Sequence, residues 1–203
     1  MSRAALRHLQ AADPKLARVI ARVGPCRFAP RSEGTHFDAL CRAIIYQQLS
    51  GKAAGTIHRR FEALYGGRPP APGALLATRD EALREVGLSR QKASYLKDLA
   101  GRAASGELPV ETLHELDDRA VIDTLIQVKG VGVWSAHMFL IFRLGRPDVL
   151  PVGDLGIRKA VQRAYRLRAL PPPEKVAAIG APWRPYATYA AWYLWRSLET
   201  ETP

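Results

Sequence analysis

The chain has 203 residues, of which 47% are hydrophobic and 24% charged, a balance that is typical of a folded globular protein and excludes a disordered one. Lysine and arginine outnumber aspartate and glutamate by 30 to 19, so the formal net charge at pH 7 is +11. This excess favours a polyanionic partner, because basic side chains neutralise phosphates and release counterions, although a basic enzyme without such a partner has the same composition.

The chain contains only two cysteines, Cys26 and Cys41. Two thiols are too few for a disulfide framework, a four-cysteine zinc site or a four-cysteine iron–sulfur cluster. The five histidines are scattered along the sequence, so no transition-metal cluster is expected. No apolar run is long enough to span a bilayer and the first residues lack the apolar core of a signal peptide, so we expect a cytoplasmic protein without membrane association.

Helix start and stop signals recur along the chain, and the segments between them have the apolar spacing of amphipathic helices. Predicted helices start at Pro14 after the N-cap Asp13, at Thr35, at Ser50, at Thr78 with Glu81 as a capping box, at Ser89, at Asp117 or Asp118, at Val133, at Leu155 and at about Trp183. The proline-rich segments 68–72 and 171–173 are predicted to be surface loops. Sustained strand-like alternation is absent from the sequence, so the prediction is an all-α fold of about ten short helices.

A tight turn containing Gly130 and Gly132 joins two apolar helices in the segment 125–136. Glycine permits positive φ and close approach of the backbone to a ligand. The turn also presents free amides at a new helix N-terminus, which suits a phosphate of a DNA backbone. The alternative is an ordinary αα-hairpin with a glycine C-cap.

Asp154 lies twenty residues beyond Trp134 and is placed to begin a helix over residues 155–165. In that position it can be a simple N-cap. It can equally be a functional carboxylate whose ionised form the helix N-terminus stabilises. The two interpretations are compatible.

Three motifs occur together in this chain: residues 43–50, the hairpin with its partner motif Pro151-Val152-x-Asp154, and the aromatic segment 182–196. In order and spacing they resemble the helix-hairpin-helix, Gly/Pro-Asp superfamily of base-excision DNA glycosylases, and within it the 3-methyladenine DNA glycosylase II branch. The resemblance covers residues 36–198. The chain departs from the family pattern at Lys129, where proline is usual, and at Ala187, where arginine is common.

The resemblance implies a two-lobed helical bundle with an active-site cleft between the lobes. One domain, 36–146, would carry the wedge loop and the hairpin, and 1–35 plus 147–203 would form the other. The implied function is a monofunctional glycosylase that flips and hydrolyses alkylated bases of the 3-methyladenine and 7-methylguanine type, leaving an abasic site. The implied partner is double-stranded DNA containing such bases. We expect a monomer with no obligate protein partner, bacterial in type and nucleoid-associated when acting.

The resemblance assigns the catalytic role to Asp154, which would stabilise the oxocarbenium character of the sugar and orient or deprotonate the attacking water. A base alkylated on a ring nitrogen is already cationic, so it needs an electron-rich slot and no general acid. The expected slot residues are Trp134, Trp195, Tyr46 and Met138, whereas Trp192 is expected in the core. Members that also nick DNA carry a lysine in place of Trp134, so the reaction should stop at the abasic site.

Gln48 or Leu49 would be the wedge that fills the gap left by the flipped base, although a solvated helix end is the alternative. The expected phosphate-binding residues are Lys129, Gly130, Val131, Gly132, Ser135 and Arg158. No cofactor is required. Relatives suggest a structural Na⁺ or K⁺ on the hairpin carbonyls of Ile126, Val128 and Val131.

Three other functions remain open from the sequence. The first is a glycosylase of the same superfamily for oxidised or deaminated bases, against which Trp134 and the lack of cluster cysteines count. The second is a non-catalytic DNA-binding module in which Asp154 only caps a helix, which leaves the aromatic C-terminal motif unexplained. The third is an all-α protein unrelated to DNA, which would have to disregard all three motifs and the charge.

Overall fold

A computed structural model describes residues 1–199 of the chain, which form twelve α-helices, two short 3₁₀ helices (Leu113–Glu115 and Ala181–Trp183) and no strand. The all-α prediction is confirmed. None of the helices in these residues is long and apolar enough to cross a membrane. The α-helices are α1 Arg3–Ala12, α2 Pro14–Val23, α3 His36–Tyr46, α4 Gly51–Ala63, α5 Pro72–Ala77, α6 Asp80–Glu85, α7 Arg90–Ser105, α8 Asp118–Leu125, α9 Val133–Phe142, α10 Leu155–Tyr165, α11 Pro173–Gly180 and α12 Ala187–Glu199.

Polar N-cap side chains start most of the predicted helices, as local sequence had indicated. In each case the side-chain oxygen accepts a hydrogen bond from a backbone amide in the first turn, which satisfies a donor that the helix itself leaves unpaired. The predicted caps that the structure confirms are Asp13 on α2, Thr35 on α3, Ser50 on α4, Ser89 on α7, Asp117 on α8 and Asp154 on α10.

The capping box predicted at Thr78 and Glu81 is wrong. Thr78 is the C-cap of α5, and its hydroxyl donates to the Ala74 carbonyl instead of accepting from a following amide. Helix α6 begins at Asp80 after Arg79, with no side-chain cap. The Thr78 hydroxyl therefore bonds to the preceding helix, a contact that the sequence pattern did not predict.

The two proline-rich segments are not simply surface loops. Pro72 and Pro173 each occupy the first turn of a helix, α5 and α11, where the missing amide of proline costs nothing. Pro70 and Pro171 are buried. The C-terminal helix, predicted to start at about Trp183, begins at Ala187. Helix α1 was also missed.

The chain divides into two compact units. We call residues 32–139 the hairpin unit, and residues 1–31 together with 140–203 the terminal unit. Each unit has its own buried core. The division falls within α9, between Phe139 and Leu140.

In the hairpin unit α3 packs against α4 and α7, and α5 packs against α7. The buried side chains include Phe37, Leu40, Ile44, Phe61, Leu75, Leu96 and Leu99. One polar group lies among them. His58 Nδ1 is 3.3 Å from Glu62 Oε2 and its Nε2 is 4.0 Å from Asp38 Oδ1, so an imidazole lies between two carboxylates from neighbouring helices. Burial lowers the His58 pKa.

In the terminal unit α12 packs against α2 and α10. Asp13 lies in this core at 8% exposure and accepts hydrogen bonds from the Lys15 and Leu16 amides, from Trp183 Nε1 and from the Tyr165 hydroxyl. Burial by itself raises the pKa of this carboxyl, but these donors outweigh it and hold the pKa below its ordinary value. The N-cap of α2 therefore also ties two distant aromatic residues to that helix.

Candidate active site

The turn between α8 and α9 contains two glycines, and the backbone conformation requires glycine at only one of them. Gly130 has φ 78° and packs on Tyr95, so that an added Cβ would lie 2.1 Å from Tyr95 Cδ2. Gly132 has a negative φ and no neighbour within 4 Å of an added Cβ. Gly130 is thus required by both its dihedral angle and its contact with α7, whereas Gly132 is not.

The carboxylate of Asp98 on α7 holds the residue before Gly130. Asp98 Oδ2 accepts a 2.9 Å hydrogen bond from the Lys129 amide, and Oδ1 lies 3.7 Å from Lys129 Nζ. Arg102 Nε also donates to Oδ2. Burial raises the Asp98 pKa, but these donors outweigh it and lower the pKa overall. A proline at position 129 would have no amide to donate, so Asp98 restrains a hairpin that lacks the usual proline.

The predicted phosphate-binding residues of the hairpin lie together at the start of α9. Gly130, Lys129 and Gly132 are exposed and Ser135 is half-buried. Val131 differs, because it is buried and its amide donates to the Val128 carbonyl at 3.0 Å. Its backbone donor is therefore already used within the turn.

A cavity of about 580 Å³ lies in the hairpin unit between the end of α3, the start of α7 and the hairpin. Its lining includes Tyr46, Trp134 and Met138, three of the four residues predicted for the base slot. The other lining residues are Ala43, Gln47, Gln48, Ser89, Gln91, Lys92, Tyr95, Gly130 and Ser135. The contributions of α7 were missed, since they carry no motif and become neighbours only through packing.

Trp134 and Tyr46 offer different surfaces to this cavity. Trp134 is 50% exposed. The Arg42 guanidinium lies 4.2 Å from the centroid of the Tyr46 ring, so one face of that ring already has a cation on it. Of the two rings, Trp134 is the more exposed.

The predicted wedge residues lie in the short connection between α3 and α4. Gln48 is exposed and has φ 56°, in the left-handed region that is unusual for a residue other than glycine. Leu49 is 40% exposed. Two adjacent exposed side chains, one of them apolar, thus sit on a backbone held in an unfavourable conformation.

Asp154, in the terminal unit, is oriented by two donors. Its Oδ1 accepts a 2.8 Å hydrogen bond from the Ile157 amide, as an N-cap, and a 2.8 Å hydrogen bond from Trp195 Nε1. Trp195 in turn stacks on Phe142 with ring centroids 5.8 Å apart. The sequence placed Asp154 and Trp195 in one site but did not reveal that they are hydrogen-bonded.

The sequence also predicted roles for Arg158, as a phosphate-binding residue, and for Trp192, as a core residue. Arg158 follows Asp154 on α10, and its Nε donates a 2.8 Å hydrogen bond to the Pro171 carbonyl. Trp192 is 8% exposed and packs edge-on against Tyr193, which confirms its prediction as a core residue.

Comparisons with known proteins show to which family this chain belongs. Residues 41–185 match the description "HhH-GPD superfamily base excision DNA repair protein". The alkylbase DNA glycosidase-like protein mag2 of Schizosaccharomyces pombe is 31% identical over 94% of this chain and 91% of its own length. The fission-yeast 3-methyladenine DNA glycosylase Mag1, solved with abasic DNA, superposes with a TM-score of 0.87 at 34% identity, over 98% of this chain and 99% of that one. A DNA-3-methyladenine glycosidase structure from Bacillus halodurans gives 0.85 at 35% identity, over 98% and 89%. The chain belongs to the HhH-GPD superfamily of base excision DNA repair proteins.

Proposed function

We propose that this protein is a monofunctional DNA glycosylase that flips alkylated bases, such as 3-methyladenine and 7-methylguanine, out of double-stranded DNA and hydrolyses their N-glycosidic bonds. The observation that carries the proposal is the Asp154 carboxylate, held at a helix N-terminus by Ile157 and Trp195. The relatives named as 3-methyladenine glycosylases support the choice of alkylated bases.

Asp154 provides the charge that the reaction needs. As the bond between C1′ and the base nitrogen breaks, its electron pair goes to the cationic base, which leaves as a neutral molecule. Positive charge develops on the sugar, and a carboxylate stabilises it electrostatically. A water molecule then bonds to C1′ and gives its proton to Asp154 or to solvent, so the products are the free base and an abasic site.

The cavity of the hairpin unit suits an alkylated base. Its volume of about 580 Å³ is within the range of small-molecule sites. The half-exposed indole of Trp134 offers an electron-rich face that attracts a cationic ring. Tyr46 and Met138 supply further apolar wall. A neutral base lacks this attraction, which favours alkylated substrates over the oxidised or deaminated bases of the competing hypothesis.

The hairpin and the wedge loop serve DNA binding. The exposed turn offers the amides of Gly130 and Gly132 and the positive charge of Lys129 to a backbone phosphate, with Ser135 behind them. Gln48 or Leu49 would enter the duplex and replace the flipped base. The net charge of +11 adds a sequence-independent attraction to DNA.

The hairpin carbonyls of Ile126, Val128 and Val131 are ligands of the kind that a monovalent cation takes, since Na⁺ and K⁺ bind uncharged oxygen atoms. The Val128 carbonyl also accepts the Val131 amide, so the turn itself fixes its direction. A bound cation would stiffen the turn against the phosphate and would take no part in breaking the glycosidic bond.

The test is base release from DNA treated with a methylating agent. The wild type is compared with Asp154→Asn and with Asp117→Asn, a matched change at another N-cap aspartate. Asparagine caps helices as well as aspartate, so both variants should fold. Methylated purines should be released by the wild type and Asp117→Asn but not by Asp154→Asn, which should still bind DNA. Binding without release by the wild type would favour a DNA-binding module or another lesion.

A further inference from the structure

The side chain of Gln47 connects the wedge loop to the hairpin turn. Gln47 is the C-cap of α3, and its Nε2 donates a 2.8 Å hydrogen bond to the Gly130 carbonyl, 83 residues away in sequence. The Gly130 peptide is itself fixed, by its left-handed conformation and its contact with Tyr95. The hydrogen bond therefore joins the loop to a rigid point of the turn.

Lys92 holds the main chain of the same residue. Its Nζ donates to the Ile45 carbonyl at 2.6 Å and to the Gln47 carbonyl at 2.7 Å. Carbonyls at a helix C-terminus have no partner within the helix, and a cation there also interacts favourably with the helix dipole. Lys92 belongs to α7, whose start is fixed by the Ser89 cap. Gln47 is thus anchored through both its side chain and its backbone.

These anchors immediately precede the strained residue of the loop. Gln48 is held at φ 56°, a conformation that is unfavourable for a residue other than glycine and persists only where its surroundings impose it. The Gln47 contacts and the Ser50 cap of α4 fix the chain on either side of Gln48 and Leu49. An isolated loop would relax to another conformation.

We infer that Gln47 and Lys92 are positioning residues for base flipping, which fix the distance between the wedge at Gln48 and Leu49 and the phosphate-binding turn at Gly130. Once the turn binds a phosphate, the wedge enters the duplex at a fixed number of nucleotides from that phosphate. The inference rests on the proposed function. It assigns Gln47 to holding the wedge and not to filling the gap in the DNA.

The experiment compares single-turnover base release from methylated duplex and methylated single-stranded DNA for Gln47→Ala and Lys92→Met. A single strand has no stacked pair to open, so a positioning defect should spare it. Both residues also line the base cavity, so the ratio of the two rates, and not either rate alone, reports the positioning of the wedge. We expect this ratio of duplex to single-strand release to fall about tenfold in either variant. The double variant should be no worse than the more impaired single one, since both changes break the same link.

Lys97→Met is the matched control, because Lys97 also lies on α7 and donates to two carbonyls, those of Leu76 and Thr78, at the end of α5. It should leave the ratio of duplex to single-strand rates unchanged. An unchanged ratio in Gln47→Ala and Lys92→Met, or an equal fall in Lys97→Met, would overturn the inference.

A second readout separates this inference from the proposed function. A 2-aminopurine beside an abasic-site analogue in a duplex fluoresces when the wedge unstacks it, with no need for base release. We expect the wild type to raise this fluorescence and saturating Gln47→Ala or Lys92→Met to raise it several-fold less. If the wild type releases no base yet shows this difference, the proposed base hydrolysis fails, whereas the positioning of the wedge by Gln47 and Lys92 is supported. Equal signals from wild type and variants would refute the inference alone.

Discussion

Trp195 Nε1 and the Ile157 amide donate to the same oxygen of Asp154, each at 2.8 Å. One donor is local and comes with any N-cap. The other comes from α12, 41 residues away, and it fixes the carboxylate in a second direction. Two donors on one oxygen fix the orientation of the carboxylate. Trp195 thus orients the Asp154 carboxylate.

Replacing Trp195 by phenylalanine tests this role. Phenylalanine keeps the stacking on Phe142 but has no donor for Asp154. A hydrogen bond to a charged group contributes about 1.5–3 kcal/mol, so we expect single-turnover base release to fall by roughly one to two orders of magnitude. DNA affinity should change little. The measurement is release of methylated purine at saturating enzyme, with binding to an abasic-site duplex measured in parallel.

Trp192→Phe is the control for that change. Trp192 is a buried core residue that packs edge-on against Tyr193, so this change should lower the melting temperature and leave single-turnover release near the wild-type rate. Full release by Trp195→Phe would show that the hydrogen bond does not matter to the reaction.

Asp154 and Trp195 also show which features of the site could be predicted from the sequence and which could not. The Asp154 cap was predictable because a cap depends on residues within one turn. The Trp195 bond was not, because it requires α10 and α12 to pack together. Likewise the i, i+4 spacing of His58 and Glu62 could be read from the sequence, whereas the approach of Asp38 from another helix could not. Local motifs predicted the candidate site, and helix packing supplies the contacts that orient its residues.

The two glycines of the hairpin should differ sharply in their tolerance of alanine. In Gly130→Ala the new methyl group would overlap the Tyr95 ring at 2.1 Å, and the residue would be held at φ 78°. In Gly132→Ala the methyl group would meet nothing within 4 Å, and the amide would be kept. We expect Gly130→Ala to weaken DNA binding at least tenfold and Gly132→Ala to change it less than threefold, on the scale of about 1.4 kcal/mol per tenfold.

Fluorescence anisotropy with an abasic-site duplex measures both affinities, with thermal melting as a check of folding. Equal losses in the two variants would mean that crowding at the phosphate, and not the shape of the turn, limits binding. The sequence alone did not distinguish Gly130 from Gly132, because the difference depends on Tyr95, which lies on α7.

Asp13 should give the terminal unit a pH-dependent stability. Its folded-state pKa is depressed, so its contribution to the free energy of unfolding is fully present above the unfolded value of about 3.9 and is lost as the pH falls through the folded value. Asp13→Asn should therefore cost about 2 kcal/mol at pH 7, where charged hydrogen bonds to Tyr165 and Trp183 are lost. The difference between the two proteins should shrink as the pH falls below the unfolded value of about 3.9.

Urea unfolding at a series of pH values from 2.5 to 8 measures this difference. Asp148→Asn provides a comparison, since Asp148 also accepts a backbone amide, that of Ala187, but forms its ion pair with the exposed Arg184. Its cost should be smaller, because exposed pairs contribute little. A cost of Asp13→Asn that did not shrink in acid would show that shape, and not charge, is what the carboxylate provides.

The reaction should leave an unbroken DNA strand. A lyase needs a lysine with a free amine at the sugar, and the position used for it in related enzymes holds Trp134 here. Two lysines near the cavity and the hairpin have other contacts: Lys92 Nζ donates to two carbonyls, and Lys129 Nζ lies 3.7 Å from Asp98. Burial lowers the pKa of Lys92. The two carbonyls that accept hydrogen bonds from Nζ nevertheless stabilise the charged ammonium form, which has no lone pair to attack the sugar.

Borohydride reduction during turnover on methylated DNA should therefore trap no protein–DNA adduct, and the product strand should break only after treatment with alkali. A bifunctional glycosylase acting on its own oxidised-base substrate shows that trapping works under the same conditions. An adduct formed by this protein would contradict the monofunctional assignment, and peptide mapping would identify the lysine. Loss of that adduct in Lys92→Met would then identify Lys92 as the nucleophile, in which case its bonds to the α3 carbonyls must break during the reaction.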